Sequence, residues 1–174
     1  MGTYRLICHP DTPAQCVDSV AVETGWQGGL LWLRFHLECE LELMELPLPE
    51  NPGRRAELWS HTCLEAFIGG AAYAEFNFSP SCKWAAYDFA EYRDGMRERT
   101  MENDPEIGLD VSESHFALEV LLDISGLTGK LALSAVIEEV DGTKSYWALA
   151  HPPGKPDFHH PTCFAATLPP PITP

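Results

Sequence analysis

The clearest pattern along the chain is an alternation. From Leu31 to Leu43 every odd position is apolar: Leu31, Leu33, Phe35, Leu37, Cys39, Leu41 and Leu43. The even positions are Trp32, Arg34, His36, Glu38, Glu40 and Glu42. A period of two predicts a strand with one buried and one wet face. At about 3.3 Å per residue the stretch exceeds the usual length of one strand, so a bend or bulge is expected within it. The glutamates read as a solvated face that discourages edge-to-edge pairing.

Further strands follow at short intervals, each closed by turn residues. Strands are predicted over 63–68, 73–79, 83–89, 115–122, 130–139 and 145–150, with strand-like pieces at 3–8, 19–24 and 162–168. In 73–79, Ala74, Phe76 and Phe78 share one face, and Tyr73, Glu75, Asn77 and Ser79 the other. Asp141-Gly142 marks a hairpin turn. The proline-rich segments 44–57 and 151–161 read as loops, and the polar stretch 91–107 as a short helix or a mobile loop. With no helical stripe over three turns, the pattern predicts an all-β chain: an antiparallel β-sandwich of two sheets, jelly-roll or immunoglobulin-like. A single domain is expected over 1–168, followed by an extended or frayed proline-rich tail at 169–174.

Charge narrows the partners. The 174 residues include 26 acidic and 11 basic side chains, for a formal charge of -15. That balance argues against nucleic acid and against an anionic membrane surface. No apolar run is long enough for a membrane-spanning helix, and the N-terminus does not read as a secretory signal. Six scattered cysteines without a C-x-x-C pair are read as reduced and structural, in a cytoplasmic setting, with no disulfide expected.

Candidate chemistry gathers in two places. Residues 57–65 put Trp59 and His61 at a strand mouth and Glu65 within the strand. The stiff loop 151–160 carries His151, Asp157, His159 and His160. Trp59 or Trp84 could stack on the apolar face of a sugar ring, with Glu65, Glu75 and Asn77 taking its hydroxyls. His151, Asp157, His159 and His160 could instead ligate zinc or another transition metal. Glu65 with Glu75 or Glu119 could form a glycosidase acid and base, and Glu65 with a histidine another hydrolase centre. No Walker loop, dinucleotide fingerprint, nucleophile elbow or zinc-protease motif is present.

The segments "ELWSHTCLEAFIGG", "YAEFNFSP" and "KWAAYDFAEYR", with the closing "YWALAHPPGKPDFHHPTCFAATL", resemble DOMON-like proteins, which are similar to family-nine carbohydrate-binding modules. The resemblance implies a β-sandwich binding a ligand on one sheet face, sugar in some relatives and haem in others. It matches Trp59 and Glu65 to the sugar-binders' tryptophan–glutamate pair. Phe158, His159 and His160 stand where those relatives carry a second aromatic, and Lys83 is the nearest counterpart of their arginine. For haem it implies a methionine and a histidine; His159 or His160 would supply the latter, and Met44, Met96 and Met101 are the methionines in or beside loops. The leading expectation is a sugar-binding module with no obligatory cofactor, haem or a metal ion being the alternative.

Overall fold

The strand that joins the two halves of the structure is Gly2–Cys8 (β1). Its first residues pair with Val17–Gln27 (β2), and Ile7 and Cys8 pair with Lys144–Ala148 (β12). In this computed structural model, which describes residues 1–168, the other strands are Leu30–Cys39 (β3), Gly53–Arg54 (β4), Cys63–Gly69 (β5), Tyr73–Phe78 (β6), Lys83–Phe89 (β7), Arg97–Glu98 (β8), Glu106–Ser112 (β9), His115–Leu122 (β10), Lys130–Glu138 (β11) and Ala166–Thr167 (β13). Three short 3-10 turns, Leu41–Leu43, Leu58–Ser60 and Pro161–Cys163, complete the elements, and no α-helix occurs among the described residues. The expected tail at 169–174 lies outside them.

Hydrogen bonding runs through one curled sheet in the order β4-β7-β6-β5-β11-β12-β1-β2-β3-β10-β9, with β8 against β7 and β13 against β11. Every pairing is antiparallel except β4 with β7. The all-β expectation holds; in place of two separate sheets the ladder is continuous, because β1 pairs along both edges. One apolar core gathers Val22, Leu33, Phe35 and Leu118 from one half and Leu64, Phe76, Phe78 and Leu133 from the other.

Strands β5, β6 and β7 are buried almost throughout. Their even positions feed this core, and their odd positions join a second cluster with Phe158 and Cys163. The β5–β6 turn depends on Gly69, at φ +146, where a Cβ would meet the Ala72 carbonyl oxygen at 2.5 Å. That turn sets the register in which Glu65 faces Asn77 and Phe67 faces Glu75.

The long alternating stretch ends as a strand at Cys39. There the chain crosses between halves: Glu40 N–H donates to the Cys16 carbonyl, and Glu45 N–H to the Glu138 carbonyl. Leu43, expected inside, is therefore exposed, while Met44 is buried. The segment 91–107 holds β8 and the start of β9 rather than a helix. β9 is a polar edge strand, whose only inward signal was Ile107 and Leu109.

Phe76→Ala and Leu33→Ala should each cost about 2–5 kcal/mol of unfolding free energy in urea titrations, since both side chains are fully buried. Leu43→Ala should cost less than about 0.5 kcal/mol. Comparable losses at all three positions would contradict the chain crossing after Cys39.

Candidate functional site

A cavity of about 390 Å³ opens on the sheet face turned away from the main core. Its floor comes from odd positions of three central strands, Glu65 and Phe67 of β5, Glu75 of β6 and Phe89 of β7, and from the even position Val136 of β11. Tyr146 of β12 adds to one side. Trp59 stands on the Leu58–Ser60 turn, 39% exposed, its ring edge-on to Tyr87 with centroids 5.9 Å apart. The loop after β12 brings Pro156, Phe158 and His159 over the face, and the loop after β7 brings Arg93 and Met96.

Hydrogen bonds tie these two loops together. Asp157 accepts from Arg93 Nε at 3.1 Å and Nη2 at 2.7 Å, and from the Tyr92 hydroxyl. Against a desolvation that would raise it, these bonds hold the Asp157 carboxyl below its ordinary range. Arg93 N–H donates to the Tyr73 hydroxyl at 3.2 Å, which lies 2.8 Å from His159 Nδ1. With Tyr73 as donor to Nδ1, the neutral ring carries its proton on Nε2, which faces Glu75 Oε2 at 3.8 Å. Burial, and then the Arg93 charge, push His159 down to about 4, so it stays neutral at pH 7. Cys163 donates to the Ala150 and Asp157 carbonyls, and burial raises its thiol to about 12. It pins the loop and stays protonated at pH 7.

The floor holds two buried carboxyls on neighbouring strands. Glu65 Oε2 accepts from the Ser134 hydroxyl at 2.9 Å, and Glu75 Oε1 from Asn77 Nδ2 at 2.8 Å. Burial first, and then the Glu75 charge, raise Glu65 to about 8. Burial raises Glu75 to about 7, against the pull of Asn77 and Arg93. Two like charges in so dry a place do not both ionise, so near neutral pH the pair retains a proton.

The structure thus brings Trp59, Glu65, Glu75, Phe158 and His159 to one cavity, with Asn77 beneath it. It separates the remaining candidates. Trp84 faces the opposite side, 2% exposed in the main core, with the Arg54 guanidinium 4.2 Å over its ring. Lys83 donates to the Asn51 carbonyl at the far end of β7. His61 pairs with Glu138 at 2.7 Å, outside the cavity, and His160 accepts from Thr162 N–H to cap the last 3-10 turn. Glu119 lies on β10, in the other half of the sheet, opposite Arg34.

The proposed metal donors are dispersed as well. His151 Nε2 bonds the Ile7 carbonyl, Asp157 is taken by Arg93 and Tyr92, and His160 caps a turn. Among the described residues no three His, Cys, Asp or Glu side chains gather as a metal site. The six cysteines are all unpaired thiols.

Sequence reasoning missed Phe67, Phe89, Arg93, Val136, Tyr146 and Pro156 at this cavity, and named Met96 only among the loop methionines. The alternation in 63–69 and 83–89 could have found the two phenylalanines, since they share parity with Glu65 and with Tyr87. Arg93 and Met96 carry no periodic signal.

No protein-family model matches the chain, and no curated protein does. A crystal structure of a candidate carbohydrate-binding protein from Bacteroides uniformis ATCC 8492 is similar in fold. It superposes with a TM-score of 0.65 at 13% identity, over 94% of this chain and 84% of that one. The likeness places this chain in an all-β architecture shared with that protein.

The carboxyl pair has a consequence for stability. Groups whose folded-state pKa is raised contribute stability below their unfolded value near 4.5, and that contribution is lost as pH climbs through the folded value. Wild-type stability should therefore fall between about pH 5 and pH 8, and Glu65→Gln should flatten the fall, gaining about 2–4 kcal/mol relative to wild type at the upper end. His159 acts in the reverse sense, withdrawing stability as pH drops from 6.5 toward 4. Denaturant titrations across that range test both limbs. Parallel curves for wild type and Glu65→Gln would show that the pair ionises freely.

Proposed function

We propose that this protein is a small-ligand binding module for a carbohydrate or a related polar ring, with the cavity beneath Trp59 as its site. The observation that carries the reading is an exposed indole standing over a polar floor. A large aromatic left 39% exposed at the rim of a cavity offers a face to a ring's C–H surface, while Glu65 and Glu75 offer acceptors for its hydroxyls. Phe158 and Tyr146 give the ring apolar walls. The Bacteroides uniformis neighbour supports the same class of ligand. The DOMON-like sequence motifs support the finer placement, with the two halves of the curled sheet acting as the layers of a sandwich.

The haem alternative is weaker. His159 and Met96 both line the cavity, yet His159 turns Nδ1 to Tyr73 and Nε2 toward Glu75, leaving neither nitrogen directed at an iron. A hydrolase is the reading that the carboxyl pair itself favours, because a glycosidase needs one carboxyl kept protonated beside another. Turnover that survives Trp59→Ala and dies with Glu65→Gln would establish it.

Calorimetric titration with a panel of mono- and disaccharides tests the binding reading. Trp59→Ala should weaken binding about tenfold or more, from the loss of roughly 1–2 kcal/mol of ring stacking. Affinity unchanged by that substitution would move the ligand elsewhere on the molecule.

A further inference from the structure

The chemical groups on the cavity floor are unequally divided between donors and acceptors. Glu65 and Glu75 present carboxyl oxygens; the Ser134 hydroxyl is spent on Glu65 and the Asn77 amide N–H on Glu75, and His159 Nε2 faces Glu75 at 3.8 Å. The Asn77 Oδ1 acceptor, on the same strand face in a fully buried residue, has no hydrogen-bond partner among the described residues. Once the carboxyl pair gives up its proton the floor is rich in acceptors, and that suits a group with several donors and no acceptor, which describes an ammonium.

The charge balance points the same way. Arg93 is the cationic side chain on the cavity wall, and its guanidinium is committed to Asp157 through two bonds. The groups facing the carboxyls are Cys63 and Ser134 from β5 and β11, Tyr73 and Tyr87 from β6 and β7, and His159 from the loop. Burial raises the thiol and both phenols above their ordinary range and lowers the imidazole, so all stay neutral at pH 7. Among the described residues only Arg93 lends positive charge to Glu75, and its guanidinium is shared with Asp157, so an ionised pair is under-balanced. Two carboxyls are costly to bury without a cation, and in the free protein a bound proton meets that need. The aromatic rings of Trp59, Tyr146 and Phe158 are the surfaces on which an organic cation is held best. A formal charge of -15 draws cations toward the molecule from a distance.

We propose that the ligand is a ring bearing a protonated amine, its ammonium seated on Glu65 and Glu75 and its ring against Trp59 and Phe158. The inference rests on the reading of the cavity as a small-ring site and adds the charge of the ligand. Seating the ammonium releases the proton held by the carboxyl pair to the buffer, so the bound floor is ionised and the ligand keeps its own charge. Affinity then rises as pH increases from about 5 to about 8, where the free pair gives up its proton more readily.

Calorimetry with matched probes decides the matter. Glucosamine is compared with glucose and N-acetylglucosamine at pH 6.5. The pH series uses trans-4-aminocyclohexanol against cyclohexane-1,4-diol, because an aliphatic amine stays protonated through pH 8. The amines should bind about tenfold or more tighter than their neutral partners near pH 7, a gap typical of a charge-assisted contact in a dry site. The gap should narrow at pH 5, and the measured heat should vary with the ionisation enthalpy of the buffer. Glu75→Gln should abolish the preference while leaving a folded protein by circular dichroism, and Glu65→Gln serves if that variant does not fold. Neutral sugars binding within twofold of the amines would overturn the inference and leave the sugar reading intact. Binding by neither class at millimolar concentration would overturn both.

Discussion

Side-chain alternation across the pleat is the constraint on which the rest of this structure depends. A central strand cannot choose what to do with its second face. When β5, β6 and β7 turn Leu64, Phe76, Phe78 and Trp84 inward, they present Glu65, Phe67, Glu75 and Phe89 on the opposite side. That second face is too apolar to leave wet and too polar to pack dry. The Leu58–Ser60 turn and the loops after β7 and β12 cover it incompletely, and the uncovered remainder is the cavity.

The cover is held by few bonds, and most of them are polar. Asp157 joins Arg93 and Tyr92, Tyr73 joins His159, and Cys163 ties the loop to its own backbone. Their effect on the floor is electrostatic as well as mechanical. Excluding water from Glu65 and Glu75 raises both carboxyls and holds His159 neutral. The cavity therefore offers acceptors and aromatic faces while its own cation is engaged elsewhere. Such a surface is better suited to recognising a ligand than to bearing load in the fold, because a purely structural cluster would have been cheaper with apolar side chains.

How much of this was readable in the chain depends on the range of the signal. The strands expected over 63–68, 73–79, 83–89 and 115–122 were legible from apolar runs and turn residues, with clean alternation in 73–79, and Trp59, Glu65, Glu75 and His159 from residue type and neighbours. β9 was missed because an edge strand buries little, so Ile107 and Leu109 stood alone among polar residues. Leu43 misled because alternation continued in the sequence after the chain had turned away to cross between halves. Trp84 was named beside Trp59 by residue type, although its mid-strand place already favoured the core; its parity with Phe76 and Phe78 across the pairing puts it there.

Local pattern determined the all-β class, the strand segments and the Asp141-Gly142 hairpin, since each depends on residues within a few positions of one another. It also determined that Tyr73, Glu75 and Asn77 share a face. Tertiary structure alone decided which strands are neighbours, that β1 joins the halves into one sheet, and that Arg93 reaches Asp157 across 64 positions of sequence. It alone decided that two glutamates on separate strands share one dry floor. Those facts arise from pairing and from exclusion of water, neither of which is a property of any short segment of chain.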